Sequence, residues 1–195
     1  LMMLTMMPMA ACDGSNADPI LPEQPGQPGN SDGGDEDDST DPTNPIPGGN
    51  GRYLVLYCSR TGSTERMAQQ IQQTLDCDIL EVEPQTPYES DYNGMLNRAQ
   101  EELAAIRQGN YPAIKTSVED FGNYDIVFVG YPIWYGSMGT PMQTFLHNHA
   151  SKLAGKRIAL FASSGSSGIS ASVDEARTLC SGATFTETLL LTSST

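Results

Sequence analysis

Between Arg52 and Thr192 the apolar positions switch repeatedly between two spacings, and the switches define the elements. Tyr53-Leu54-Val55-Leu56-Tyr57 is a short run of β-formers entered from a Gly-rich stretch, and it predicts a first strand. Met67, Ala68, Ile71 and Leu75 then fall at helical spacing, so a helix is expected from about Thr64 to Leu75. Ile79-Leu80-Glu81-Val82 predicts a second strand, ended by Pro84. Next, Tyr92, Met95, Leu96, Ala99, Leu103 and Ile106 line one face of a long amphipathic helix that stops at Gly109. The run Asp125 to Val129, bounded by Gly130 and Pro132, is the most apolar of all and suits a strand covered on both faces. Thr140-Pro141 opens a third helix in which Met142, Phe145, Leu146 and His149 share a side. Arg157 to Ala162 predicts a fourth strand. Ser172, with Glu175 three residues on, has the spacing of a capping box for a helix ending near Cys180 and Gly182. Phe185 to Thr192 predicts a fifth strand.

Strict alternation of strand and helix predicts one α/β domain: a doubly wound, five-stranded parallel sheet with helices on both faces. A fifth helix should follow the last strand and cover the face that the first helix covers. The sequence given ends before it, and truncation is expected over an open sheet face, because parallel sheets are normally covered on both sides. The segment between the second and third strands carries the long helix as an insertion, 84–123, to which the sequence assigns no role.

Three stretches lie where such a sheet places its ligands, outside the carboxyl ends of the strands. The first is Ser59-Arg60-Thr61-Gly62-Ser63-Thr64, between the first strand and the first helix. Amides at a helix start attract anions, hydroxyls add neutral donors, and Gly62 permits close backbone approach. Phosphate binding is one reading; a generous helix cap built from Ser and Thr is the other. Neither G-x-x-x-x-G-K-[ST] nor G-x-G-x-x-G occurs. The second stretch, Gly130 to Pro141, places the single Trp of the chain and two Tyr in a loop bounded by Gly and Pro, where they either stack on a flat heterocycle or pack on the sheet rim. The third, Ala162 to Gly168, is built of small residues whose amides can approach the edge of a ring.

Charge divides the chain differently. Of its 24 acidic residues, nine fall between Asp13 and Asn50, where there is no Lys or Arg. The part after Gly51 therefore carries 15 acids against all ten bases. Residues 13–51, rich in Pro, Gly, Ser and Asn, have too few large apolar side chains to offset the entropy of ordering and are expected to form a disordered, self-repelling tether. Before it, residues 1–12 are apolar and end in Ala10-Ala11-Cys12. This stretch resembles the end of a bacterial lipoprotein signal, in which the cysteine is lipidated; Met9 stands where Leu is usual, and no positive region precedes the run. A cleavable Met-rich leader or a cloning remnant is the alternative. The lipoprotein reading places the domain in a bacterial cell envelope, on a membrane surface, held through Cys12. No basic stripe suits nucleic acid. Cys58, Cys77 and Cys180 form no C-x-x-C pair, and His147 and His149 fall on different helix faces, so no metal site is expected.

Together the three stretches make the chain from Arg52 to Thr192 resemble a flavodoxin. The phosphate loop of that family, T/S-x-T-G-x-T, is matched by Ser59, Thr61, Gly62 and Thr64, with Arg60 and Ser63 between them. The first ring-flanking loop is matched by Pro132, Ile133, Trp134, Tyr135 and Gly136, and the second by Ser163, Ser164, Gly165, Ser166 and Gly168. The spelling is most similar to lipoprotein-type bacterial flavodoxins. The resemblance implies strand order 2-1-3-4-5, non-covalent FMN held by these sixteen residues, and electron transfer with redox partner proteins or small acceptors. Each negative charge near the ring would disfavour its reduction to an anion by about 1 kcal/mol at roughly 15 Å and an effective dielectric near 20. No catalytic side chain is implied, and no Ser-His-Asp or paired-carboxylate constellation is seen. An FMN-dependent NAD(P)H:quinone or nitro-compound reductase on the same fold is the enzymatic alternative, and a scaffold without flavin is a third reading.

Overall fold

The computed structural model describes residues 52–192; the expected leader and tether at 1–51 lie outside them. In chain order the elements are β1 (Tyr53–Tyr57), α1 (Ser63–Leu75), β2 (Asp78–Glu81), α2 (Tyr92–Ile106), β3 (Ile126–Trp134), β4 (Ser137–Met138), α3 (Thr140–His149), β5 (Arg157–Ser164), α4 (Ser170–Leu179) and β6 (Thr184–Thr192). Five strands form one parallel sheet in the order β2-β1-β3-β5-β6, while the short β4 pairs antiparallel with β3. Counting the parallel strands alone, the order is the expected 2-1-3-4-5.

Alternation along β1 assigns its side chains to the two faces. Leu54 and Leu56 join the larger core with Val127, Val129 and Ile158, under Met142, Phe145 and Leu146 of α3 and Val173 and Ala176 of α4. Val55 and Tyr57 point the other way, toward Ala68 and the partly buried Met67, Ile71 and Leu75 of α1. Phe161 of β5 also belongs to this second face, directly beside Gly130 of β3 in the parallel register. A Cβ on Gly130 would sit 2.1 Å from the Phe161 ring, so the aromatic lies flat in the space that only glycine leaves open. Farther out on β6, Leu189 and Leu191 are 58% and 50% exposed.

Several expectations are corrected. The third strand does not stop before Gly130 and Pro132; it runs to Trp134, because Tyr131 and Pro132 continue the register with Ala162 and Ser163. The fourth parallel strand likewise extends through Ser163 to Ser164. Ser172 is no cap: α4 begins at Ser170 after Ile169, and the Ser172 hydroxyl donates to the Ile169 carbonyl at 2.8 Å and lies 3.1 Å from the Tyr131 hydroxyl. Glu175 instead accepts the Met138 backbone N–H at 2.8 Å. Tyr92 starts α2 but is 64% exposed, whereas Met95, Ala99 and Leu103 are buried.

The insertion has a structural role that its sequence did not reveal. Residues 113–116 return along the continuation of β2: Gln85 N–H donates to Ala113 O and Lys115 N–H to Glu83 O, both at 3.0 Å. The Thr116 hydroxyl fits between these strands, donating to Glu81 O and accepting Glu83 N–H, both at 2.9 Å. Val118 and Phe121 then enter the larger core. Buried His149 anchors this return, since its Nε2 accepts Val118 N–H at 3.2 Å and its Nδ1–H donates to Phe145 O at 2.8 Å.

Candidate functional site

The loop after β1 is shaped before any ligand arrives. Gly62 has φ 79°, the left-handed region, and caps α1, while its N–H donates to the Ser59 hydroxyl at 3.1 Å. The first helical bond runs from Arg66 N–H to Gly62 O at 3.0 Å. Consequently the amides of Ser63, Thr64 and Glu65 form the open end of the helix, where the aligned peptide dipoles favour an anion by up to about 2 kcal/mol in partly buried geometry. Three of the four expected hydroxyl donors have partners within the protein, Ser63 accepting from Arg66 Nη2 at 3.3 Å. Ser59 accepts from Gly62, and buried Thr64 shares a 2.8 Å bond with Ser163 of β5.

The aromatic stretch is a hairpin rather than an open loop. Ile133 pairs with Met138 and Trp134 with Ser137, leaving Tyr135 at φ 51° and Gly136 at φ 79° as a two-residue turn. A tyrosine in the left-handed region is strained by about 1–2 kcal/mol, and its ring at the turn is 54% exposed. The Glu175 carboxylate on Met138 N–H and the Gln143 side-chain amide on Met138 O, 2.7 Å, hold the returning strand.

Trp134 is half-buried and meets Tyr88 of the insertion edge-on, ring centroids 5.0 Å apart. A compact polar network fixes Tyr88 in turn. Its hydroxyl donates to Glu102 and lies 2.6 Å from the Thr140 hydroxyl, which itself bonds Glu102 at 2.5 Å. Arg98 pairs with Glu102 at 2.8 Å, stacks 4.1 Å from the Tyr88 ring centre and donates to the carbonyls of Pro87 and Thr86. Burial, reinforced by the Glu102 carboxylate, drives the Tyr88 phenol well above its ordinary pKa and keeps it a donor.

These pieces enclose one cleft of about 760 Å³, within the range of cofactor pockets. Thirteen of the sixteen expected residues line it: Ser59, Arg60, Thr61, Ser63 and Thr64 at one end; Pro132, Ile133, Trp134 and Tyr135 along one side; Ser163, Ser164, Gly165 and Ser166 along another. Gly62, Gly136 and Gly168 are not among the lining residues; Gly62 and Gly136, both at positive φ, shape the backbone beside it. The lining also includes residues that sequence reasoning missed. Tyr92, Met95 and Leu96 come from the first turns of α2, Arg66 from α1, Ser167 from the last loop, and Leu191 and Thr192 from β6. The i, i+3, i+4 spacing of Tyr92, Met95 and Leu96 was legible, but it was assigned to the core. A smaller cavity of about 280 Å³ adjoins the cleft past Trp134 and Pro132, lined by Glu81, Pro84, Pro87 and Tyr88 among others. In it, burial first and then the charges of Glu83 and Glu65 raise the Glu81 pKa to about 7, against the lowering effect of the Tyr57 hydroxyl.

The donor set suits a phosphate monoester at the α1 end, and the half-buried indole beside small-residue amides suits a flat ring. Among the described residues no cluster of three or more His, Cys, Asp or Glu could hold a metal ion. A sequence profile of the flavodoxin family matches residues 52–195. Three crystal structures share the fold closely. A protein described as a flavoprotein from Bacteroides eggerthii DSM 20697 is 34% identical, with TM-score 0.64, 72% of this chain and 87% of that chain covered. Another from Bacteroides uniformis ATCC 8492 is 29% identical, with TM-score 0.63, 76% and 93% covered. A flavoprotein from Lactobacillus acidophilus NCFM in complex with FMN is 26% identical, with TM-score 0.62, 71% and 92% covered. No curated protein matches the chain. With the profile spanning the whole sheet and each of the three loops around the cleft, the chain belongs to the flavodoxin family.

Proposed function

We propose that this protein binds FMN in the cleft and carries electrons between redox partners while tethered to a membrane surface. One observation carries the reading: the open end of α1 and the Trp134 hairpin face a single cleft closed by Ser163–Ser167. Amides of Ser63 to Glu65, with the Thr61 hydroxyl, hold the phosphate; Trp134 and the Gly165 segment confine the ring. When bound, FMN supplies one- and two-electron chemistry; the chain's own residues bind it, orient it and limit water access. The Lactobacillus complex with FMN supports the choice of cofactor.

Titration of the full-length protein into FMN should quench flavin fluorescence with a dissociation constant below about 1 μM, that is, binding stronger than about 8 kcal/mol. No quenching overturns the proposal. Steady NAD(P)H consumption with a quinone, without an added reductase, would make the protein a reductase rather than a carrier.

The membrane part rests on the apolar run ending at Cys12 and on the acidic stretch after it. Among the described residues no helix is long and apolar enough to cross a membrane. Detergent phase partitioning of the protein expressed with its leader, lost in Cys12→Ser, checks it.

A further inference from the structure

Arg60 lies in the anion loop and lines the cleft, yet its firmest bonds reach elsewhere. Its Nη2 donates toward three successive carbonyls, Glu89 at 3.1 Å, Ser90 at 2.9 Å and Asp91 at 3.2 Å. The two hydrogens of Nη2 are shared among the three carbonyl oxygens, and the guanidinium keeps its charge at any working pH. These carbonyls immediately precede α2. Asp91 caps that helix, its carboxylate accepting Gly94 N–H at 2.6 Å, and the next turns place Tyr92, Met95 and Leu96 in the cleft wall. One side chain therefore joins the anion end of the site to the wall opposite, about thirty residues away in sequence.

The remaining donors of Arg60 are uncommitted. Among the described residues neither its Nε nor its Nη1 has an acceptor, and Arg60 lines the cleft together with Thr61 and Ser63. Arg66 makes the contrast. It is exposed, and its Nη2 reaches only the Ser63 hydroxyl of its own helix at 3.3 Å, so its charge is screened and tied to no other element.

We propose that Arg60 is a positioning residue that couples an anion seated at Thr61–Glu65 to the placement of the α2 wall, so that a phosphate monoester settles the wall and the unphosphorylated alcohol does not. The inference rests on the reading that the cleft takes FMN, and it adds a basis for preferring FMN to riboflavin. An anion accepting a charge-assisted bond from Nη1, on the guanidinium edge that Nη1 shares with Nη2, fixes the guanidinium plane. A fixed plane in turn fixes Nη2 under the three carbonyls, and the rotamer freedom that lets the α2 amino end shift is lost.

The test is hydrogen exchange of residues 92–96 in the full chain with inorganic phosphate, riboflavin or FMN, together with FMN and riboflavin affinities by fluorescence. Phosphate and FMN should slow exchange there, and riboflavin should not. In Arg60→Gln phosphate should no longer slow it, and the ratio of FMN to riboflavin affinity should fall by about tenfold, the worth of one charge-assisted bond. Arg60→Lys should recover part of the ratio but not the phosphate-dependent slowing, since one ammonium cannot span both groups. Arg66→Gln should lower the ratio and keep the slowing. Unchanged exchange with phosphate in the wild type, or equal slowing in Arg60→Gln, overturns the coupling. If wild-type protein quenches FMN but shows no slowing, the coupling alone fails; if it does not quench FMN, the cofactor reading fails first.

Discussion

The hydroxyls of Thr64 and Ser163 lie 2.8 Å apart across 99 positions of sequence, joining the first turn of α1 to the end of β5. This single bond ties the loop at the start of α1 to the loop after β5, both of which line the cleft. Thr64→Val removes it while keeping the shape and leaves Ser163 half-buried with one partner fewer. Stability should fall by about 1 kcal/mol, and the Thr64→Val/Ser163→Ala double variant should lose less than the sum of the singles. Urea melts of the four proteins check the coupling; strict additivity contradicts it.

Gly130→Ala places a methyl group 2.1 Å from the Phe161 ring. The ring must leave its position, and a loss of about 3 kcal/mol is expected, at the upper end for overpacking. Phe161→Leu in the same chain should recover part of it. Recovery measured by thermal melts distinguishes this clash from a general intolerance of the β3 backbone to alanine.

Tyr88→Phe retains the ring against Trp134 but removes the donor to Glu102. Stability should drop by about 1 kcal/mol with little change in the emission of Trp134, the only tryptophan. Tyr88→Ala opens the wall as well, and a loss of roughly 2–3 kcal/mol with a red-shifted emission maximum is expected. An unshifted spectrum would show that the indole does not depend on Tyr88.

Acid affects His149 and Glu81 in opposite directions. Burial, assisted by Lys152, lowers the His149 pKa from 6.5, so below that pH the unfolded chain takes up a proton that the folded chain resists. Stability on this account falls as pH drops through 6.5. Glu81, raised from 4.5 to about 7, does the reverse: between those values the folded chain holds the extra proton, and stability falls as pH rises. Glu81→Gln should therefore melt higher than the wild type at pH 8 and no higher at pH 4.5. His149→Gln should flatten the acid limb. Melting curves from pH 4.5 to 8 measure both slopes.

Much of this was legible because it is local. Apolar runs such as Val55-Leu56 and Val127-Phe128-Val129 specify strands by themselves, and the i, i+3, i+4 series of α1 and α2 specify helices. Gly62 was legible as a point of close backbone approach at the helix start, and the structure adds that it caps α1 at φ 79°. Gly130 and Pro132 misled. Both are breakers by type, yet Gly130 is required by Phe161, thirty-one positions later, and Pro132 uses its carbonyl to accept Gly139 N–H at 2.9 Å. Ser172 and Glu175 have cap chemistry, but they reach across to Tyr131 of β3 and Met138 of β4. Tyr88 gave no local signal, and Arg60 was legible only as a member of the anion loop, since the reach of each is decided by carbonyls and rings far along the chain.

The Glu175 carboxylate grasping Met138 N–H has a consequence for engineering. The aromatic turn is not a detachable cassette: transplanted onto a related scaffold without an acidic residue at the matching point of the fourth helix, its second strand would keep only the Gln143 hold on Met138 O and leave Met138 N–H without its carboxylate. Anyone retuning colour or potential by swapping that turn has to move a helix residue 37 positions downstream along with it.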